Sequence, residues 1–316
     1  MTVPHLARRA VAATAVAALS LSCSGGPAPE DAADGRDATG SSTSASAPPS
    51  QSSKPPQARL GAALALPAQP SLRDPAALAG QLDLVAATLQ DPAAAAGDVR
   101  RAGEFQQLAV RVLGTAPAGT RRAVLESLRP GNRALVRAYL VAAGPLRSLT
   151  DPQRRLPDWR IVAPPPAERL LGHYRLAQRR TGVPWEYLAA IHLTETRMGR
   201  IRGTSTAGAQ GPMQFLPSTW EIYGAGGDIR DPRDAILAAA RLLRANGAPD
   251  RMSAALYRYN PSDLYVRAVS SYAGALRRHD WAYAGLWQWR VLYRHVRGTY
   301  VLPVGYPDTR PVLLKE

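Results

Sequence analysis

Asp-Pro pairs at Asp74-Pro75, Asp91-Pro92 and Asp231-Pro232 each read as the opening of a helix. An aspartate ahead of the first turn accepts free backbone N–H groups, and a proline in that turn gives up no helical bond. Behind each pair, apolar residues recur at spacings of three and four, as on one face of a helix. Leu78, Leu82, Leu84, Val85 and Leu89 follow the first pair. Phe105, Leu108, Ala109 and Val112 follow the second, and Ile236, Ala239, Leu242 and Leu243 the third. Further helices are expected over 121–128, 132–143, 167–180, 253–259, from Pro184, and from near Ser262 with Leu264, Val266, Val269, Tyr272 and Leu276. Ser218 and Glu221 have the spacing of a capping box. The aromatics Trp281, Tyr283, Trp287, Trp289, Tyr293 and Tyr300 are expected to pack a short hairpin, turning at Arg297-Gly298, against the helices. The fold class that follows is mostly α with a short C-terminal β-hairpin. No apolar run reaches the roughly 20 residues that span a bilayer, which excludes a polytopic membrane protein. Cys23 is the sole cysteine, which excludes an internal disulfide and a Cys-rich metal site.

The two halves of the chain differ in kind. Residues 1–23 read as an export signal, with Arg8 and Arg9 ahead of a short apolar run from Ala10 to Leu21. Cys23 follows Leu19-Ser20-Leu21-Ser22, which resembles a bacterial lipobox, although Ser20 stands where such boxes prefer Leu or Val. Lipidation at Cys23 and an ordinary cleaved signal containing a cysteine are the two alternatives. Residues 24–59 are mostly Gly, Pro, Ser, Ala, Thr and Asp, without a large aliphatic or aromatic side chain, and are expected to be a disordered tether. A helical N-terminal region over 60–149 either packs on the main domain or spaces it from a membrane. The proline-rich stretch 150–165 reads as a linker, 166–307 as the main domain and 308–316 as a tail.

The main domain carries the chemistry. After Pro184, Trp185, Leu188, Ile191, Glu195 and Met198 share one helical face. A carboxylate on an apolar stripe, near the C-terminal end of a helix, has its charged form disfavoured by burial and by the helix dipole. Such a glutamate can hold its proton near neutral pH and act as a general acid. A rim glutamate paired with Arg197 or Arg200 is the alternative. Residues 199–217 then carry Gly199, Gly203, Gly208 and Gly211 among Ser205, Thr206, Gln210 and Gln214, a stretch that lets backbone approach a ligand and offers hydrogen bonds to sugars.

Three ordered blocks carry a resemblance: Ile191 through Glu195-Thr196 to Arg200, Ala207-Gly208-Ala209-Gln210-Gly211-Pro212-Met213-Gln214-Phe215 through Trp220, and Tyr257-Arg258-Tyr259-Asn260. They resemble the lytic transglycosylases of bacterial cell-wall metabolism, with an SLT-type, goose-lysozyme-like domain, over roughly residues 165–307. The end of the chain, Trp287-Gln288-Trp289 through Leu302-Pro303 to Pro307, looks like the tail of secreted actinobacterial members. Thr196 stands where the family usually has Ser, and Arg258 where it has Ala. The resemblance implies a lysozyme-like helical fold and a carbon–oxygen lyase that cleaves the MurNAc–GlcNAc β-1,4 bond of peptidoglycan to a 1,6-anhydro-MurNAc end. It implies Glu195 as the sole acid/base, Ser205 and Gln214 as sugar-binding residues, and Tyr259 and Asn260 beside the acid.

Ordinary glycosidases need two carboxylates about 5–9 Å apart. Glu221, Asp231 and Asp234 are accounted for as helix-start residues, which leaves Asp228 as the one candidate partner for a lysozyme-type hydrolase. Gly224 to Asp231 holds too few acids for a calcium loop, and the histidines show no ligand spacing, so no metal and no cofactor are expected. With 39 Lys+Arg against 24 Asp+Glu the net charge is +15, which suits attraction to an anionic wall as well as a coding bias toward Arg. The expected partners are peptidoglycan glycan strands and, through an N-terminal lipid, a membrane. Nucleic acid is not expected, and the chain is expected to be a monomer. It is expected to be exported, either anchored to the cell membrane facing the wall or secreted. A catalytically idle wall-binding lipoprotein is the alternative to an enzyme.

Overall fold

The computed structural model describes residues 64–149 and 151–314. The export signal, Cys23 and the tether lie outside the described residues. The N-terminal region forms α1 (Pro75–Gln90), α2 (Ala96–Thr115), α3 (Ala118–Ser127) and α4 (Pro130–Ser148). Asp74 caps α1, its carboxylate accepting the N–H groups of Ala76 and Ala77 at 3.0 Å. Leu78, Leu82, Val85 and Leu89 pack with Phe105, Leu113, Val124 and Leu128. Leu84, counted above as part of that stripe, is 41% exposed, because two residues on from Leu82 the side chain points to the other side of the helix. Asp91-Pro92 does not open α2. The Asp91 carboxylate takes the N–H of Ala93, two residues on, in an Asx turn that ends α1, and α2 starts only at Ala96.

Residues 151–166 run between the two helical sets and are held along the way. Gln153 bridges to His295, β1 (Arg160–Ile161) is buried at Ile161, and the Tyr293 and Tyr306 hydroxyls bond the carbonyls of Arg155 and Pro157. The main domain then runs α5 (Ala167–Thr181), α6 (Trp185–Thr196), β2 (Ile201–Arg202), α7 (Pro217–Tyr223), α8 (Pro232–Ala245), α9 (Met252–Tyr259), α10 (Asp263–Arg278) and α11 (Ala282–Trp287). β3 (Val291–His295) and β4 (Gly298–Leu302) form the expected hairpin about Arg297-Gly298, and β5 (Val312–Leu313), inside the stretch read as a tail, pairs with β4. The class is therefore mostly α, with small antiparallel sheets, as expected.

One core runs through the main domain and into α4. Leu135, Tyr139 and Ala142 lie with Leu170, Leu188, Ile191, Tyr265, Tyr272 and Trp289. The Tyr139 ring stands 6.0 Å from Tyr272 and 5.5 Å edge-on from Trp289. The N-terminal region thus packs on the main domain rather than spacing it. α2 meets α11 closely: a Cβ on Gly103 would stand 2.7 Å from the Gly285 carbonyl. The Gln107 side chain bonds both the Arg290 carbonyl (2.7 Å) and its N–H (2.9 Å), as a neighbouring strand would.

Candidate active site

α6 is buried on every side from Leu188 to Leu193, so it is a central helix rather than the one-faced helix its stripe suggested. Glu195 in its last turn is 2% exposed. No arginine pairs with it among the described residues. Its contact is the Tyr265 hydroxyl, which donates to Oε1 at 2.7 Å. Burial pushes the Glu195 carboxyl up to about 8, against the opposing pull of that hydrogen bond. Burial first, and then the neighbouring Glu195, hold the Tyr265 phenol well above its ordinary value, so it stays a donor.

The chain leaves α6 abruptly. Arg197, Met198 and Gly199 have φ of 54°, 60° and 79°. The N–H of Arg197 reaches the Leu193 carbonyl and that of Met198 the His192 carbonyl. Two non-glycine residues in the left-handed region are strained, and such strain gathers at functional sites. Thr196 anchors the turn. Its hydroxyl donates to the Pro212 carbonyl at 2.6 Å and accepts the Gly199 N–H at 3.1 Å. A serine would make the same two bonds, so the departure at Thr196 preserves the link between the acid-bearing helix and the Gly-rich loop. His192, one turn before Glu195, is a structural neighbour: Nδ1 meets the Tyr174 hydroxyl at 2.7 Å. Burial, helped by Arg202 and Arg200, lowers it to about 3, so it is neutral.

The loop from Gly203 to Leu216 is braced by its own polar groups. Ser205 and Gln214 are each 8% exposed. The Ser205 hydroxyl accepts the Ala209 N–H at 3.0 Å, and the Gln214 amide donates to the Gly211 carbonyl at 2.9 Å. The hydroxyl hydrogen of Ser205 and the amide oxygen of Gln214 have no protein partner among the described residues, which leaves each one group for a ligand. Gly211, at φ 74°, brings the loop against its neighbour: a Cβ there would stand 1.9 Å from the Ile229 carbonyl oxygen.

Tyr259 ends α9 with its ring stacked on Tyr265 at 6.4 Å and its hydroxyl donating to the Met213 carbonyl at 2.5 Å. It lies close enough to Glu195 for that carboxyl to raise it further above its ordinary value, after burial. Asn260 follows at the helix end, 3% exposed, with its N–H on the Leu256 carbonyl. Arg258, the other departure, is exposed and takes no part in this packing.

Tyr265 is the residue that sequence reasoning missed. The stripe expected on α10 begins at Leu264 and Val266. The buried face instead runs Tyr265, Ala268, Val269, Tyr272, Leu276, and its three- and four-residue spacing was there to be read.

The acids weighed as partners for Glu195 are exposed or bonded within their own turns. Asp228 is exposed and takes the Arg230 N–H at 2.8 Å, while Asp234 takes the Asp228 N–H and Asp231 takes that of Asp234. The capping box is not formed. Pro217 lies in the first turn of α7, Leu216 is the cap, and Ser218 makes no cap bond, so Glu221 sits exposed on a short helix. Among the described residues no second carboxyl shifts that of Glu195. Among the described residues no group of three or more His, Cys, Asp or Glu side chains could hold a metal ion.

Residues 174–282 match the family model described as the Transglycosylase SLT domain. A comparison with curated proteins finds no match for the chain.

Proposed function

On the premise that residues 174–282 are an SLT-type transglycosylase domain, we propose that this chain is a lytic transglycosylase of peptidoglycan in which Glu195 alone is acid and base. The observation that carries this reading is a buried glutamate, its carboxyl pushed up to about 8 by burial, held by Tyr265 and with no carboxylate partner among the described residues. Glu195 protonates the oxygen of the MurNAc–GlcNAc β-1,4 bond as that bond breaks. The resulting carboxylate is stabilised by the Tyr265 hydroxyl, and it takes the proton from the C6 hydroxyl of MurNAc as that oxygen attacks C1. The products are a GlcNAc 4-hydroxyl and a 1,6-anhydro-MurNAc end. A tethered hydroxyl has a high effective concentration, worth about 7 kcal/mol or more of barrier when well oriented, so no carboxylate is needed to activate water. Ser205 and Gln214 offer their free hydrogen-bonding groups to the sugar, and Tyr259 and Asn260 complete the wall beside the acid. Asp228 is exposed and closes its own turn, which favours this route over a hydrolytic one.

Digestion in heavy-oxygen water tests the reaction. The expected fragments carry no label at MurNAc C1 and are one water lighter than hydrolysis products. Label at C1 would overturn the transglycosylase reading. The same reading places the chain outside the cytoplasmic membrane, held by a lipid on Cys23 with 24–59 as tether. The mass of the mature N-terminal peptide checks this, and an unmodified Cys23 rejects the anchor.

A further inference from the structure

β1 and β2 make an antiparallel ladder of two rungs, with Ile161 opposite Ile201 and Arg160 opposite Arg202. Residues directly opposite one another share a face, with Cβ atoms about 4.5–5.5 Å apart. The isoleucine rung and Trp159 pack on Val291, Tyr293, Leu302 and Tyr306. Successive residues of a strand alternate faces, so the arginine rung projects from the other side. Like charges placed opposite each other repel. Neither guanidinium has a hydrogen-bond or ion-pair partner among the described residues, and Arg160 is exposed while Arg202 is half-buried.

Arg202 is also next to the machinery. Its neighbour Gly203 accepts the Gln214 amide at 3.5 Å, and Ser205 follows three residues on. Two cations facing each other across the ladder at the start of the sugar-facing loop, with no ion-pair partner among the described residues, make a receptor for an anion. Guanidinium forks match a carboxylate geometrically. The hexosamine rings of a glycan carry no charge, whereas the peptide stems attached to them end in free carboxylates.

We propose that Arg160 and Arg202 together receive a stem-peptide carboxylate, so that the substrate is the peptide-bearing strand. This rests on the reading of the domain as peptidoglycan-acting. It makes the pair a determinant of which strands are bound, separate from the acid that cuts them.

The test is equilibrium binding of soluble glycan strands to the full chain carrying Glu195→Gln, so that the strands are not consumed. Three forms of the strand are compared: intact stems, stems whose carboxylates are amidated with carbodiimide and ammonia, and strands with the stems removed, which keep only the lactyl carboxylate. Intact strands are expected to bind about tenfold tighter than amidated ones. In an Arg160→Gln, Arg202→Gln double variant that ratio falls to near one, while the melting temperature holds or rises because a repulsion is gone. An unchanged ratio overturns the proposal. So does stem-free glycan binding as tightly as intact strands, which would assign the pair to the lactyl group. A lower melting temperature with equal loss on all three forms would make the pair structural and also overturn it. Cutting is measured separately with Glu195 in place. A chain that shows the arginine-dependent preference and does not cut refutes the lytic reading and leaves this one standing.

Discussion

A carboxyl that keeps its proton up to about pH 8 leaves a trace in stability as well as in catalysis. In the unfolded chain Glu195 ionises near the ordinary glutamate value, while the folded chain retains the proton to about 8. The folded state therefore binds more protons than the unfolded state between these values, and stability falls as pH rises through that window. Glu195→Gln removes the titration. The variant should lose wall lysis and yet be more stable than the parent at pH 8, by a few kcal/mol, with the difference vanishing toward pH 4. Denaturant melts across that range check it, and a constant offset would show that Glu195 is not protonated in the folded state. Tyr265 acts through Glu195 as a positioning residue. Its hydrogen bond pulls the carboxyl down, so Tyr265→Phe should move the alkaline limb of the pH–rate profile upward and lower the rate by about ten- to a hundredfold, since the carboxylate formed on proton transfer loses its donor. A rate loss with an unmoved limb would assign Tyr265 to packing alone.

At the scale of elements, the site is a buried helix end and a loop clamped to it. Thr196 ties α6 to Pro212, and Gly211 lets the same loop seat on the Ile229 carbonyl. Gly211→Ala would need a positive φ and a Cβ where that oxygen stands, so the loop must back away. The expected outcome is a loss of lysis by at least tenfold and a destabilisation of about 2 kcal/mol or more, read from rate assays and melts; parent-like values for both would mean the loop has slack. Much of this was legible beforehand. Glu195 stood out because a carboxylate interrupts an apolar period, and the glycines of the loop because only glycine recurs so where backbone must come close. What was hidden depends on partners far along the chain. The Asp91 turn and the cap of α7 turned on which N–H a side chain finds, and periodicity does not record that. Tyr265 was hidden because a tyrosine in a core stripe looks the same whether its hydroxyl meets a carboxyl or nothing. The all-round burial of α6 depends on α5, α8 and α10 closing around it, beyond the reach of any single-helix pattern.

Across the whole molecule, the boundary suggested by the matched domain is not a boundary of packing. Tyr139 of α4 fills the space beside Tyr272 and Trp289, and Gln107 of α2 bonds the backbone at Arg290. A fragment starting at residue 166 would leave these aromatic faces in water, a loss larger than the roughly 3–5 kcal/mol of a single buried aromatic truncation. It should be insoluble or melt without cooperativity, whereas a fragment starting at residue 64 should melt like the full chain; circular dichroism melts of the two fragments compare them, and a cooperative melt of the 166–316 fragment near the parent temperature would refute the shared core. The ring cluster also sets a schedule. Tyr139 comes early in the described sequence and Trp289 near its end, so a chain that emerges N-terminus first carries an unsealed face until its last strands arrive. Helices formed early wait for a lid made late, and the core that α4 shares with α10 is sealed only once Trp289 has followed them out.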